Sequence, residues 1–428
     1  MPSVADTIRV SGRDFVTTHP WISFQLDLAR VDRRCWQMLG EARSKCRHLI
    51  FTPLKPSVAR ELETIYLAKG VQATTAIEGN TLTLAQVQDA VEGRLKVPPS
   101  QEYLKQEVEN VLQACRLIEA RIADSGDFEI TPQLVKELNA LVLNGLKLED
   151  HVVPGEYRDK SVVVGTYRGA PSVDVDYLVE MMGTWLNGET FDPPDHADAF
   201  LYAFLKAVAT HLYIAWIHPF GDGNGRTARL LEFGILTAAG IPSVAAQLLS
   251  NHYKLTRSAY YRHLDLASRS GGDIGPFMSY AAHGLVDLLQ EELNRVHDEM
   301  FDIAWENLVH ETFQPRAGEA AKRQRNLVIA LGRRDQPVKR EDLTQLTRRL
   351  TQAYAGRGPK TVTRDLTKVI ETGLVRRLPD GAIEAAREIM FTFTPRIGGH
   401  MRNNVVVDFS DVSTTLESSE EAPGNGGS

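Results

Sequence analysis

Apolar positions along this chain recur at helical spacing over most of its length, which predicts a mainly α protein. From about Asn224 the residues favour helix, with Ala228, Leu230, Leu231 and Phe233 supplying one apolar face. The stretch just before it, 218–223, cannot be regular helix because Pro219 and a run of glycines interrupt it. Residues 162–164 form a short β-branched run bounded by glycine and proline, predicting a hairpin inside otherwise helical sequence. Further on, 340–349 reads as one helix and 358–374 as a second, stopped at Gly373. A turn at Pro379-Asp380-Gly381 then leads to 389–394, a strand with Phe and Thr alternating, closed by Pro395. The tail from about Asn404, rich in Ser, Gly and Glu and short of aromatics, reads as disordered.

Composition narrows the class. A length of 428 residues suggests two to three domains. No apolar run approaches the roughly 20 residues of a membrane span, and the N-terminus lacks a signal-peptide core, so no membrane partner is expected. Cys35, Cys46 and Cys115 show no metal spacing and leave an odd count, which points to a reducing compartment and a cytoplasmic enzyme. The net charge of −7 excludes general polyanion binding by the chain as a whole. The charge is uneven, however: residues 321–380 carry fifteen Lys/Arg against six acids, a local surplus of nine. This basic segment, helix, helix and β-wing, resembles a winged helix-turn-helix. Thr361, Thr363, Arg364 and Lys368 would lie on the exposed face of its recognition helix, suited to phosphates and base edges of DNA. Protein docking or dimerisation is the other use of such a module; steep salt dependence would mark the first and near-independence of salt the second.

The densest chemistry lies in Ile217-His218-Pro219-Phe220-Gly221-Asp222-Gly223-Asn224-Gly225-Arg226-Thr227-Ala228-Arg229. Its glycines stand just ahead of a helix N-terminus, where unpaired N–H groups and the helix dipole favour an anion. Arg226 and Arg229, three apart, project from one face of the first turns. A phosphate held there has His218 nearby as a base and Asp222 placed to hold a divalent cation. Two other loops fail on inspection. A calcium loop starting at Asp222 would need an oxygen ligand, Gly and Glu where the chain has Arg226, Thr227 and Phe233. A phosphate loop of the G-x-x-x-x-G-K-[ST] type is absent from the sequence.

The whole string resembles the Fic family signature, H-P-F-x-[D/E]-G-N-G-R-x-x-R, and meets every defined position. The resemblance extends from the apolar helices near Trp21 through Tyr280. It implies a mainly helical core with a short β-hairpin flap, and transfer of AMP from ATP to a protein Tyr, Thr or Ser hydroxyl with release of diphosphate. By the same resemblance His218 is the base, Asp222 the Mg²⁺ ligand, and Gly223, Asn224 and Gly225 the turn around the α-phosphate. Arg226 is implied to contact the β-phosphate, and Phe220 to anchor the loop. Gly225 favours this reaction over the family's kinase-like branch, which tends to carry Lys there.

Upstream, Thr74-Thr75-Ala76-Ile77-Glu78-Gly79-Asn80 reads on its own as an ordinary helix end capped by Gly79. It is also similar to the family's inhibitory element, [S/T]-x-x-x-E-[G/N], whose Glu pairs with the second arginine of the signature, here Arg229. A bidentate carboxylate–guanidinium bond would occupy the donors that otherwise hold the γ-phosphate. In some relatives the same Glu positions a water that removes AMP, so de-AMPylation stands beside transfer. The 162–164 hairpin resembles the flap that pairs with the target's backbone, which places Val164 and Gly165 near the nucleotide. Tyr260-Tyr261-Arg262 resembles the paired-tyrosine segment walling the adenine pocket, with Tyr261 as a contact; Ser268 departs from the Asn of some relatives. The alternative is a nucleotide-sensing DNA-binding regulator or scaffold, against which the intact His218 argues. Whether the chain acts as a homodimer is left open. The expected division is 1–129, a helical region carrying the inhibitory helix; 130–286, the Fic core; 287–320, a linker; 321–396, the winged helix; and 397–428, the tail.

Overall fold

Caps and glycines set most helix boundaries. In the computed structural model, which describes residues 12–165, 167–334 and 336–390, helix α1 (Arg33–Phe51) starts where the Asp32 carboxylate accepts the Arg34 N–H. Helix α2 (Pro56–Ile77) opens on proline, which has no N–H to leave unpaired. A reciprocal Thr83–Gln86 capping box begins α3 (Leu84–Val91). Helix α4 (Glu102–Ser125) ends at Gly126 in the left-handed conformation, and Thr131 caps α5 (Pro132–Val142). The expected hairpin is present as β1 (Val163–Val164) and β2 (Tyr167–Arg168), antiparallel, with Val163 opposite Arg168 and Val164 opposite Tyr167. Helices α6 (Val175–Leu186), α7 (Ala199–Ile217), α8 (Asn224–Ala238), α9 (Leu248–Leu255), α10 (Arg257–Arg269) and α11 (Gly275–Phe313) follow.

The chain divides into two compact units, Met1–His297 and Asp298–Ser428. In the first, one hydrophobic core gathers residues from Phe15 to Leu289. Helix α7 runs through it with Phe204, Leu205, Val208 and Leu212 buried, and packs most extensively on α8, which also meets α2, α4 and α5. The line drawn at 129/130 therefore falls within a shared core, where Ile118, Leu138 and Leu231 all belong to one cluster. The line at 286/287 falls inside α11. Contrary to the reading that no apolar run is long enough, His196–Ile217 passes by length and composition for a membrane span. Most of its apolar window (72 %) is buried against the other helices, as in the core helix of a folded domain. The three cysteines are free and buried, and burial pushes their thiols up to about 11 for Cys35 and about 12 for Cys46 and Cys115. They are poor candidates for thiolate chemistry.

The second unit has its own core of Trp305, Val309, Leu327, Leu331, Leu350, Leu366 and Val369. It contains α12 (Glu319–Gly332), α13 (Arg348–Tyr354), α14 (Pro359–Ile370), β3 (Val375–Arg377) and β4 (Ile383–Ala385). One expectation is corrected here. The single helix over 340–349 is broken: a 3₁₀ segment spans Arg340–Gln345, and Thr347 restarts the chain by accepting the Leu350 N–H at 3.2 Å. Thr347 is a better N-cap than an interior helical residue, because its hydroxyl competes for the backbone. Beyond it, β4 pairs with β3 directly across the Pro379-Asp380-Gly381 turn. That turn is tight, with Gly381 at φ 88° and Asp380 Oδ1 accepting the Ala382 N–H, so pairing begins at once and buries Ile383. Ile389 and Met390 fall in a 3₁₀ turn, Arg387–Met390; residues 391–394 and the tail from Asn404 lie outside the described residues. On α14, Thr363, Arg364 and Lys368 are exposed and Thr361 half-buried, while Asp365 turns inward to Arg323, Gln324 and Tyr354.

Candidate active site

The signature loop is shaped by residues that never touch its centre. Helix α7 closes on His218, which takes the left-handed conformation (φ 51°, ψ 61°) that a non-glycine residue adopts only at a cost. Buried Arg158 holds it there. Its Nε donates to the His218 carbonyl at 2.7 Å, Nη2 to the Ile217 carbonyl at 3.2 Å and to that of Ala170, and Nη1 to that of Lys160. Phe220 is fully buried against Tyr157, as the loop's expected anchor. The Asn224 side chain closes the turn, accepting the Phe220 N–H at 3.0 Å and donating to the Phe220 carbonyl at 2.9 Å. Asn139 braces the far side by donating to the Asp222 carbonyl and accepting the Gly155 N–H. Gly223, at φ 78°, lies so close to Asn139 that a Cβ would stand 2.9 Å from Nδ2. Helix α8 then starts at Asn224, leaving the first N–H groups without intrahelical acceptors.

Burial pushes the His218 imidazole down to about 4, and the Arg158 cation acts in the same direction; the Ala215 carbonyl, Glu78 and Asp222 oppose them. The ring is thus neutral at physiological pH, the state a base requires. Asp222, half exposed (49 %), receives the Gly223 N–H and Arg226 Nη2 on the same oxygen, Oδ1. Arg226 is buried and reaches Glu107 at 3.6 Å on its other side.

The structure brings Glu78 to this site from the end of α2. Arg229 Nη2 donates to Glu78 Oε1 at 2.5 Å and to the Thr74 carbonyl at 3.0 Å. The pairing is single rather than bidentate, and the same nitrogen is shared with the backbone of α2. Burial alone would raise the Glu78 carboxyl, but Arg229, helped by Arg226 and Arg257, holds it below the usual carboxylate range. Its side chain still exposes 32 % of its surface. Gly225 makes the approach feasible, since a Cβ there would collide with Glu78 Oε1. Asn80 ties down the next turn by donating to the Leu104 carbonyl and to Glu107, both at 2.8 Å.

A cavity of about 480 Å³ lies between these elements, within the ~300–1,000 Å³ of small-molecule clefts. It joins Glu78, Val164, Gly165, His218, Asn224, Gly225, Arg229 and Tyr261; Asp222, Gly223 and Arg226 stand outside its lining. Tyr261 sits exposed on the rim, whereas Tyr260 is buried behind it. Ser268 does not line the cavity: its hydroxyl donates to the Asp265 carbonyl in its own helix. The hairpin is braced from the N-terminal segment, where His19 bonds the Arg168 carbonyl at 2.9 Å and Trp21 packs near Tyr167.

Fold and loop together define a mainly helical protein with a glycine-rich turn at a helix N-terminus beside a cavity. Residues 129–236 match the Fic/DOC family. It is similar to protein adenylyltransferase fic-1 of Caenorhabditis briggsae, with 30 % identity over 256 residues, and to protein adenylyltransferase Fic of Aedes aegypti, with 34 % over 253. Those matches cover 60 % and 59 % of this chain but 46 % of each relative, so the chain spans about half the length of the curated relatives it matches. A crystal structure of a Fic family protein from Desulfovibrio desulfuricans G20 shares the fold at a TM-score of 0.51. The alignment has 21 % identity and covers 88 % of this chain and 98 % of that one.

Proposed function

We propose that this chain is a protein adenylyltransferase, moving AMP from ATP to a Tyr, Thr or Ser hydroxyl of a protein, with Glu78 as its internal brake. The observation that carries the reading is the Glu78–Arg229 pair in the same cavity as the neutral His218. The names of the relatives support the reaction class over the part of them that matches. His218 takes the proton from the attacking hydroxyl. The free N–H groups at the start of α8 stabilise the charge that develops on the α-phosphate, and Arg229 takes the terminal phosphate once Glu78 lets go. The half-exposed Asp222 carboxylate, a hard oxygen ligand beside the phosphate turn, fits Mg²⁺, which neutralises phosphate charge when bound. The exposed valines of β1 support docking of the target as an added strand on the hairpin.

The test uses α-³²P-ATP with Mg²⁺ and cell lysate. Weak label on wild type, strong label on Glu78→Gly and none on Glu78→Gly/His218→Ala is the expected result. Absence of label from all three, with ATP still bound, would leave the nucleotide-sensor reading in place of the enzyme.

For residues 321–390 we infer a winged-helix module whose α14 faces DNA. The surplus of positive charge and the exposed Arg364 and Lys368 support it, although Lys368 already pairs with Glu371 at 2.7 Å.

A further inference from the structure

The hairpin that walls one side of the cavity is too short to hold itself. Each strand has two residues, and a lone two-stranded hairpin is at best marginally stable in water. Its two edges are held differently. The Gly169 N–H donates to the Val162 carbonyl at 3.1 Å, so the next facing pair, Val163 and Arg168, turns its backbone groups outwards. On β2 the outward Arg168 carbonyl accepts a bond from His19 Nε2 at 2.9 Å. On β1, among the described residues, nothing outside the hairpin bonds the Val163 backbone, and the Val163 side chain is 57 % exposed.

His19 is itself a fixed point, because the segment around it is tied to the helical core on both sides. The Phe15 N–H donates to the buried Asp174 carboxylate at 2.9 Å, and Arg13 pairs with the same carboxylate at 3.2 Å while lying over the Tyr177 ring. Gly272 lets Trp21 approach so closely that a Cβ there would stand 2.8 Å from the Trp21 carbonyl oxygen. The Phe24 N–H donates to the Tyr213 hydroxyl at 2.8 Å. Between these ties His19 is buried. A carbonyl only accepts, so Nε2 carries the ring hydrogen. Burial holds the imidazole below its ordinary value and so neutral at pH 7, with Nδ1 facing the Thr18 hydroxyl at 2.9 Å. Tyr167 gives β2 a second tie, its hydroxyl donating to the Trp216 carbonyl at 2.8 Å.

We propose that His19 is a positioning residue for the protein acceptor: by occupying the outer edge of β2 it leaves β1 as the edge an incoming strand can join, and holds that edge in place. This role rests on the reading of the chain as an adenylyltransferase whose hairpin docks its target. An exposed β-branched edge is a template for a further strand. Ordering it in advance lowers the entropy lost on docking. Arg168 is not among the residues lining the nucleotide cavity, whereas Tyr167 is, and Tyr167 keeps its own tie to Trp216. The effect of His19 therefore falls on the acceptor and spares ATP.

The test follows AMP incorporation from α-³²P-ATP with Mg²⁺ into the proteins of a cell lysate, over a range of lysate concentrations, in the Glu78→Gly background. His19→Phe keeps a ring and removes the donor. His19→Asn places its amide near Nδ1, short of Arg168, and His19→Gln places an N–H where Nε2 stands. For Phe and Asn the lysate concentration giving half the maximal rate should rise about fivefold, as for loss of one neutral hydrogen bond. The rate at saturation should stay within about twofold of the Glu78→Gly parent. His19→Gln should restore the parent's half-saturation, and ATP affinity by calorimetry should change less than about twofold in all three. An unchanged half-saturation, a loss that Gln does not restore, or an equal loss of ATP affinity would overturn the proposal. Exchange of the Gly169 amide, which closes the hairpin, reads the brace without the reaction: it should quicken with Phe and Asn and return with Gln, and unchanged exchange would also overturn the proposal. Absence of label from Glu78→Gly itself, with ATP bound, removes the reading of the reaction and the proposal with it.

Discussion

His218 combines two unfavourable conditions, a left-handed backbone and a buried imidazole, and each has consequences at the level of the residue. Because its folded value of about 4 lies below the 6.5 of a free imidazole, the folded protein binds fewer protons than the unfolded chain between those values. This contribution to stability is complete above pH 6.5 and is lost as pH falls towards 4. In ¹³C-histidine NMR, the resonance absent from His218→Ala should titrate near pH 4; a midpoint near 6.5 would contradict the burial argument. Arg158 sustains the backbone strain by bonding four carbonyls, and each charge-assisted bond contributes roughly 1.5–3 kcal/mol when its partner would otherwise be unpaired. Arg158→Ala in the Glu78→Gly background should reduce AMP transfer by about a hundredfold or more and lower the Tm, with retained far-UV circular dichroism as the check on folding. The signature residues were legible in sequence because their spacing is local. Arg158 and Asn139 were not, because their partners are distant: Arg158 serves His218 and Asn139 serves Asp222.

Among the elements, α2 carries the most consequence, since its last turn delivers Glu78 and its exit is pinned by Asn80. Asn80→Ala removes the bonds to Leu104 and Glu107 without touching the cavity. It should loosen the brake and raise basal AMP incorporation about five- to tenfold, still below Glu78→Gly; unchanged label would show that the exit turn does not hold Glu78. Helix periodicity and the β-branched run were enough to place α8 and the β1–β2 hairpin. Periodicity failed at 340–349, where apolar spacing continues across a break that Thr347 makes by capping. There a short-range bond from side chain to backbone decided the structure, and a pattern of apolar positions does not register such bonds.

Across the whole molecule, charge is segregated: an acidic chain overall carries a basic stretch over residues 321–380. If α14 meets DNA phosphates, duplex affinity measured by fluorescence anisotropy should fall linearly with salt on logarithmic axes, and Arg364→Ala should reduce that slope by about 1. A salt-independent curve would assign the unit to protein docking. The first unit holds Glu78 and the signature loop on one polypeptide, joined by a single carboxylate contact with a third of the side chain still open to water. In the proposed function Glu78 is a tethered competitor for Arg229, present at an effective concentration of the millimolar order set by its attachment. Its grip does not depend on how much enzyme the cell contains, only on how much nucleotide contests the arginine. Such a brake turns the resting rate into a reading of free triphosphate, graded rather than on or off.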